Sequence, residues 1–394
     1  MKTKIPAFIL FFMFLLQNLS AQTSISDSIF TLHGRMHGMH RDSVLLFYEN
    51  SLGQAVFQSR PIYDDRFIIT DSLTRPTFAT VAFKDQGEIL TDSAIEARSH
   101  ELYLEPGRLY LSGDIAKMDS LKLVGSNSEL EFVQLNKSIA GIKAEMKPLT
   151  ERFNKEKDPE KAARLGTLFA PYDNRIKAIT CQFFSKYPNS YVGLHELVNL
   201  VNQMGLDSAR HFFETFDDQL KLSYDGKQVT AAIEKIASVQ PGKPAVDFMG
   251  IDTCGQSIAL NDFKGKYVLL NFWATWSAPS KESNAHLFDI YNKYKADSLV
   301  IIGIADNDAS SEAWKKAAVA ENIYHWKNLL SGAGTDNDIN EKYAIHYLPT
   351  KILIDPDGKI IGRFGDNNIA HADLLLDRTL QNIFKDLVAK LPAR

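Results

Sequence analysis

Ser277 and Ser280 stand on either side of Ala278-Pro279 in the run Trp273-Ala274-Thr275-Trp276-Ser277-Ala278-Pro279-Ser280. An apolar stretch, Tyr267-Val268-Leu269-Leu270-Asn271-Phe272, precedes the run and reads as a buried strand. Asn284–Tyr294 follows it and reads as a helix. Two hydroxyls at a strand-to-helix turn could serve a hydrolase. A serine nucleophile needs a base to take its proton, however, and this turn has no G-x-S-x-G elbow and no histidine adjacent in sequence. The simpler chemistry is structural. Ser277 is a good N-cap for the helix that follows, and Pro279 is tolerated in a first helical turn. Trp273 and Trp276 are expected to wall a groove and pack the core, with an aromatic ligand platform as the sharper alternative.

Other groups able to do chemistry are sparse. The thiols are Cys181, in a predicted helix, and Cys254, in a predicted hairpin turn. They could pair or stay free, and neither lies near Ser277 in sequence. His33, His37 and His40 form a short histidine tract. On a strand His33 and His37 share a face and His40 does not. No carboxylate or cysteine sits at ligand spacing from them, so no metal site and no cofactor are expected.

The turn resembles the active-site turn of thioredoxin-like proteins, W-x-x-W-C-x-P-C, with both cysteines replaced by serine. In that chemistry the helix N-terminus stabilises a thiolate, lowering the first cysteine's pKa from about 8.5 to roughly 3.5–7.5. The second cysteine then resolves the mixed disulfide. A hydroxyl does neither. The resemblance is to the secreted TlpA/ResA type and runs from about Pro241 to Phe384. Pro241-Gly242-Lys243-Pro244-Ala245-Val246-Asp247-Phe248 resembles the entry segment of that family. Asp252-Thr253-Cys254-Gly255-Gln256-Ser257-Ile258-Ala259-Leu260 resembles its first hairpin, and Phe263-Lys264-Gly265-Lys266-Tyr267 the approach to its central strand. Tyr343-Ala344-Ile345-His346-Tyr347-Leu348-Pro349-Thr350 resembles its cis-proline segment. The resemblance also implies a glutamate three residues after the second cysteine, where this chain has Ser283. Glu282 is a poor substitute, because one residue rotates a helical side chain by about 100°.

The chain has 394 residues, 45% hydrophobic and 23% charged, with a formal net charge of −4. That is ordinary globular composition with room for two or three domains. It gives no sign of a nucleic-acid surface or a polybasic membrane patch. Residues 1–21 read as a secretory signal peptide: Lys2 and Lys4 are basic, Ile5–Leu16 is apolar, and Leu19-Ser20-Ala21 is a cleavage site. No later stretch approaches the ~18 apolar residues of a membrane span. The mature protein is expected on the periplasmic or cell-surface side.

The elements that must position the turn come in three parts. Residues 27–125 read as short strands with turns, among them Ser43–Tyr48, Arg66–Ile69, Thr77–Phe83, Glu101–Leu104 and Arg108–Leu111. Glycines punctuate them, which predicts an all-β sandwich. This part resembles the N-terminal domain that often precedes secreted TlpA-type domains. Residues 126–240 switch to helical periodicity. Leu135, Ile139, Ile142, Met146, Leu149 and Phe153 form one stripe, and Leu165, Leu168, Tyr172, Ile176, Ile179 and Phe183 another. They predict an antiparallel hairpin broken at Asp158-Pro159, followed by shorter helices, with the stripes as core or as a dimerisation seam. Gln240–Pro244 reads as a linker into residues 241–390, an α/β thioredoxin-like domain.

Three functional readings follow. In the first, the domain is redox-inactive and its groove, built from Trp273, Trp276, Pro279, Leu348 and Pro349, holds an extended peptide or an exported protein. In the second, the chain is a disulfide oxidoreductase serving redox homeostasis of exported proteins, which needs a thiol the turn does not carry. In the third, it is a structural protein acting through the β-sandwich.

Overall fold

The computed structural model describes residues 29–38, 42–85, 88, 91, 95, 98–295, 299–306, 311–332, 337–365 and 369–389. The expected signal peptide and His40 lie outside the described residues.

Among the described residues, eight strands form the first part: β1 (Ile29–His37), β2 (Ser43–Glu49), β3 (Ala55–Pro61), β4 (Arg66–Ser72), β5 (Thr77–Lys84), β6 (Ser99–Leu104), β7 (Gly107–Asp114) and β8 (Lys122–Val124). They make two four-stranded sheets, ordered β4-β1-β7-β8 and β3-β2-β5-β6. Period-two alternation sends Phe30, Leu32 and Met36 of β1 inward, against Val44, Leu46 and Tyr48 of β2. The shared core makes this a sandwich. β1 pairs in parallel with β7, while every other pair in the two sheets is antiparallel.

Seven helices follow: α1 (Asn127–Lys155), α2 (Pro159–Thr167), α3 (Ala170–Lys186), α4 (Tyr191–Leu200), α5 (Leu206–Glu214), α6 (Asp218–Lys221) and α7 (Tyr224–Ser238). The expected hairpin is present, and the salt bridge from Arg175 to Glu145 (2.5 Å) crosses it. Its second arm breaks between α2 and α3, where Pro171 sits in the first turn of α3. Burial fades along the stripe. Leu135, Ile139 and Ile142 are buried, Met146, Leu149 and Phe153 are half-buried, and Leu168 is exposed. The base of the hairpin packs on the sandwich through Tyr103, Phe132, Leu135, Phe183 and Val192.

The last part is a five-stranded sheet, ordered β13-β12-β11-β14-β15. Its strands are β11 (Tyr267–Trp273), β12 (Leu299–Ala305), β13 (Lys327–Leu330), β14 (Thr350–Ile354) and β15 (Ile360–Phe364). A small hairpin, β9 (Met249–Ile251) with β10 (Ser257–Ala259), precedes it. β11 runs parallel to β12 and antiparallel to β14. The central strand is buried on both faces, which explains its apolar run, broken only by Asn271. Helices α8 (Ala278–Tyr294) and α11 (Ile369–Ala389) cover one face through Leu287, Ile290, Leu376 and Leu380. Phe248, Phe272 and Tyr343 lie on the other. Two further helices, α9 (Ser311–Ala320) and α10 (Ile339–Lys342), fill the connections. This is a thioredoxin-like arrangement, behind a sheet-rich domain and a set of helices.

Two readings sharpen. The helix after the turn begins at Ala278, directly behind the expected Ser277 N-cap, and its first turn, which carries no apolar period before Asn284, is buried through Ser280 and Ser283. Gln240–Pro244 is no free tether. Gly242 N–H donates to Ile360 O (2.7 Å), Ile360 N–H to Lys243 O (2.8 Å) and Ala245 N–H to Gly358 O (2.8 Å). Ile236 and Val239, from the end of α7, are buried in the same core cluster as Phe248 and Ile345.

Candidate functional site

β11 delivers the turn and α8 carries it away. Ser277 has extended backbone geometry at the N-cap of α8, and its Oγ accepts from Ser280 N–H (3.3 Å). Pro279 occupies the first turn, where its missing N–H costs nothing. The Ser277 hydroxyl also donates to the carbonyl of Leu348 at 3.4 Å, so the turn meets the loop before β14. The Leu348–Pro349 peptide bond is cis. The structure therefore brings together Ser277, Leu348 and Pro349, with Pro279 in the first turn.

The two tryptophans part company. Trp276 is 50% exposed beside the turn. Trp273 is fully buried and packs with Leu287 and Trp314, so of its two expected roles it has the packing one and shows no face to a groove. Gly303 on β12 makes room beside it. A Cβ there would fall 3.4 Å from Trp273 Nε1 and 2.2 Å from Asn328 Oδ1.

Neither hydroxyl is set up for nucleophilic chemistry. Ser280 is 0% exposed and Ser277 only 5%. Among the described residues no histidine or carboxylate hydrogen-bonds either one. Ser283, where the resemblance implies a glutamate, is buried too, and among the described residues nothing hydrogen-bonds its Oγ.

Sequence reasoning missed the polar chain behind the turn. Asn271 Nδ2 on β11 donates to Asn284 Oδ1 (2.9 Å), and Asn284 Nδ2 donates to Glu321 Oε2 (2.5 Å). Burial pushes the Glu321 carboxyl above its usual range, and the Asn284 bond pulls the other way. The available signal was a lone asparagine inside an apolar strand. A second cluster ties β14 to both covering helices. Lys351, 1% exposed, pairs with Asp373 of α11, and His286 of α8 lies 3.1 Å from Asp377. Burial pulls the Lys351 ammonium below its ordinary range, opposed by Asp373.

The remaining candidates lie elsewhere. Cys181 and Cys254 are both free, and burial pushes the Cys181 thiol up. His33 stacks on Tyr110 at 5.3 Å. Among the described residues no group of three or more His, Cys, Asp or Glu is placed to hold a metal ion. Among them also, no helix is long and apolar enough to cross a membrane.

Residues 241–363 match the model of the AhpC/TSA family. The chain is similar to the thiol-disulfide oxidoreductase ResA of Bacillus thuringiensis subsp. konkukian, at 35% identity over 127 residues, 32% of this chain and 70% of that protein. Against ResA of Bacillus subtilis the identity is 32%, over 32% of this chain and 66% of that protein. Among solved structures, the thioredoxin domain of a Bacteroides vulgatus thiol-disulfide oxidoreductase matches at 35% identity and TM-score 0.31, covering 35% of this chain and 99% of that one. A thiol:disulfide interchange protein from Bacteroides sp. matches at 37% identity and TM-score 0.30, covering 32% of this chain and 82% of that one. Through this C-terminal part the chain belongs to the ResA-type, thioredoxin-like thiol-disulfide oxidoreductase family.

Proposed function

We propose that the thioredoxin-like domain is a redox-inactive binding module, holding an extended segment of an exported protein beside Trp276, Pro279, Leu348 and Pro349 without covalent exchange. The reading is carried by the two serines at the head of α8. One spends its hydroxyl on the helix cap and on Leu348 O, and the other is sealed from solvent. The names of the relatives make disulfide exchange the rival reading. Exchange needs a thiolate to attack one sulfur and a second thiol to release the product. Hydroxyls supply neither.

What this domain keeps is a recognition surface. Half-exposed Trp276 offers an apolar face at low entropic cost. The Leu348 segment offers backbone for strand-like pairing. We place the mature chain outside the cytoplasm on the character of residues 1–21.

The test is a photoreactive residue at Trp276, crosslinked in the native compartment, beside an insulin-reduction assay on the Cys181→Ala, Cys254→Ala variant. Defined proteins captured through position 276 and no turnover are expected. Catalytic turnover in that variant, or capture only from probes on the β-sandwich, would sink the reading.

A further inference from the structure

Among the described residues nothing covers the outer face of the sheet β4-β1-β7-β8. Its inward side chains, Phe30, Leu32, Ile69 and Leu109 among them, fill the sandwich core. The helices pack on the other sheet, through Phe78 and Tyr103. On the outer face the strand register lines side chains into rows. Ile68, His33, Tyr110 and Val124 are successive partners across the four strands. Ile68 and Val124 are 58% and 64% exposed, and the His33 ring stacks on Tyr110. A continuous row of this kind on the solvent side of a sheet marks a contact surface.

Two residues further along each strand lies a second row: Arg66, Arg35, Ser112 and Lys122. Arg35 and Arg66 are direct cross-strand partners, and like charges placed so repel. On the other side of the apolar row, Arg108 stands beside Thr31. All four cations are exposed, and among the described residues none of them forms a salt bridge. The carboxylates of this sheet point elsewhere or lie at its end. Asp71 accepts from Tyr48 Oη (2.6 Å) and from Gln58. Asp114 sits beside His37, one row beyond Arg35, and accepts from Ala116 N–H (2.9 Å). Asp64 and Asp65 are in the turn that closes between Tyr63 and Arg66. Each cation comes from a different strand, so no run of charge along the sequence shows the row.

We propose that this face docks on an anionic lipid surface, with headgroup phosphates on the row of Arg66, Arg35 and Lys122 and the apolar row against the interfacial layer. About 7 Å separates the rows, two residues of strand, so one flat surface meets both at once. Guanidinium groups take phosphate through paired N–H···O bonds, and a phosphate between Arg35 and Arg66 relieves their repulsion. Long cationic stems around a tyrosine suit a boundary that is apolar and wet together. A soluble polyanion would use the cations and leave the apolar row in water. A second copy packed face to face would set cations against cations. The chain as a whole is acidic, at a formal −4, so its attraction to anionic lipid must come from a local cationic face. The proposal is independent of the groove at Ser277.

The experiment sediments the mature chain, which lacks the apolar run Ile5–Leu16, with vesicles of phosphatidylcholine alone or mixed with phosphatidylglycerol. Binding to the anionic vesicles should exceed binding to the neutral ones by about tenfold or more and weaken with added salt. Arg35→Glu turns the like-charge pair with Arg66 into an opposite-charge pair, so its thermal midpoint should equal or exceed wild type. Its binding to anionic vesicles should nevertheless fall about tenfold or more. Lys122→Gln, at the other end of the row, should lower binding about fivefold. Ile68→Thr, on the exposed side of β4, should lower it about threefold with the salt dependence unchanged. No preference for anionic vesicles overturns the proposal. Binding unchanged in both Arg35→Glu and Lys122→Gln overturns its location. Retention on immobilised inorganic polyphosphate that Arg35→Glu abolishes, with vesicle binding unchanged in Ile68→Thr, shows a site for soluble polyanions and overturns the assignment to lipid.

Discussion

Glu129 Oε2 accepts a hydrogen bond from the backbone N–H of Tyr103 at 2.8 Å, across the boundary between sandwich and helices. Ser126-x-x-Glu129 is a capping-box sequence, and Ser126 Oγ does accept from Glu129 N–H. The glutamate side chain turns away from its own cap to hold β6. It is buried there, which pushes its carboxyl up to about 7, the Tyr103 bond opposing.

A carboxyl whose folded pKa is raised gives stability that is present below its unfolded pKa of about 4.3 and lost as pH rises through the folded value. For Glu129 that loss spans roughly pH 4.5 to 7 and amounts to about 3 kcal/mol. Nearby His195 acts in the same direction. Burial lowers its pKa, but the hydrogen bond and charge of Asp225 outweigh that and raise it, so its contribution is also lost as pH rises. Glu129→Gln keeps an acceptor for Tyr103 N–H and removes one titration. Its urea midpoint should match wild type at pH 4, below the unfolded pKa, and exceed it at pH 8. Equal losses at both pH values would show that burial does not suppress ionisation of Glu129.

Asn284 is bonded to both Asn271 and Glu321 in the layer behind the turn. Asn284→Ala strands a buried amide on β11 and a carboxyl already pushed up by burial. The expected cost is about 2–4 kcal/mol, well above a surface alanine substitution. In a double-mutant cycle with Asn271→Ala the two losses should fall short of additivity by about 1 kcal/mol. Additive losses in chemical denaturation would mean that the asparagines act independently.

Much of this was legible along the chain, for reasons visible in particular residues. Phe30, Leu32 and Met36 alternate and Leu135, Ile139 and Ile142 recur at helical steps, so local period alone predicts sheet and helix. β3 carries Gln58, Ser59, Arg60 and Pro61 on a sheet edge, where little is buried and no apolar period exists to read. The first turn of α8 was legible only from the Ser277 cap and Pro279, not from apolar period, because its buried positions are Ser280 and Ser283. Ile236 and Val239 looked like the end of one helix core, and their burial against the next domain depends on tertiary packing that periodicity does not carry. The Asn271 partners are contributed by residues 284 and 321, and no spacing rule links them.

Ile236 and Val239 also change what a fragment should do. A chain beginning at Pro241 holds the complete sheet, but removes both side chains from the core around Phe248 and Ile345. A chain beginning at Ser223 keeps α7 whole with its Ser223 N-cap. Both should unfold cooperatively, and the longer one should be more stable by about 3 kcal/mol or more, the scale of two buried aliphatic side chains. Equal calorimetric midpoints would show that α7 contributes nothing to the folded C-terminal domain.

The helix N-terminus at Ser277 is still shaped to stabilise negative charge. Ser277 caps α8 through Ser280 N–H, and Pro279 fixes the first turn. Ser277→Cys with Ser280→Cys is nearly isosteric at both buried positions, so packing should change little. In a Cys181→Ala, Cys254→Ala background, the thiol introduced by Ser277→Cys should meet the same N–H groups and helix dipole. Its pKa should fall below the free value of about 8.5, into the range of roughly 3.5–7.5 seen at helix N-termini. Thiolate absorbance against pH measures this, and insulin reduction should then rise above the free-dithiol background. Exchange should stay slow, because Ser283 supplies no carboxylate and the Glu321 carboxyl is already bonded to Asn284. A thiol pKa near 8.5 with no exchange would mean that the turn has lost the electrostatics as well as the sulfurs, leaving recognition through Trp276 and Leu348 as what the surface can still do.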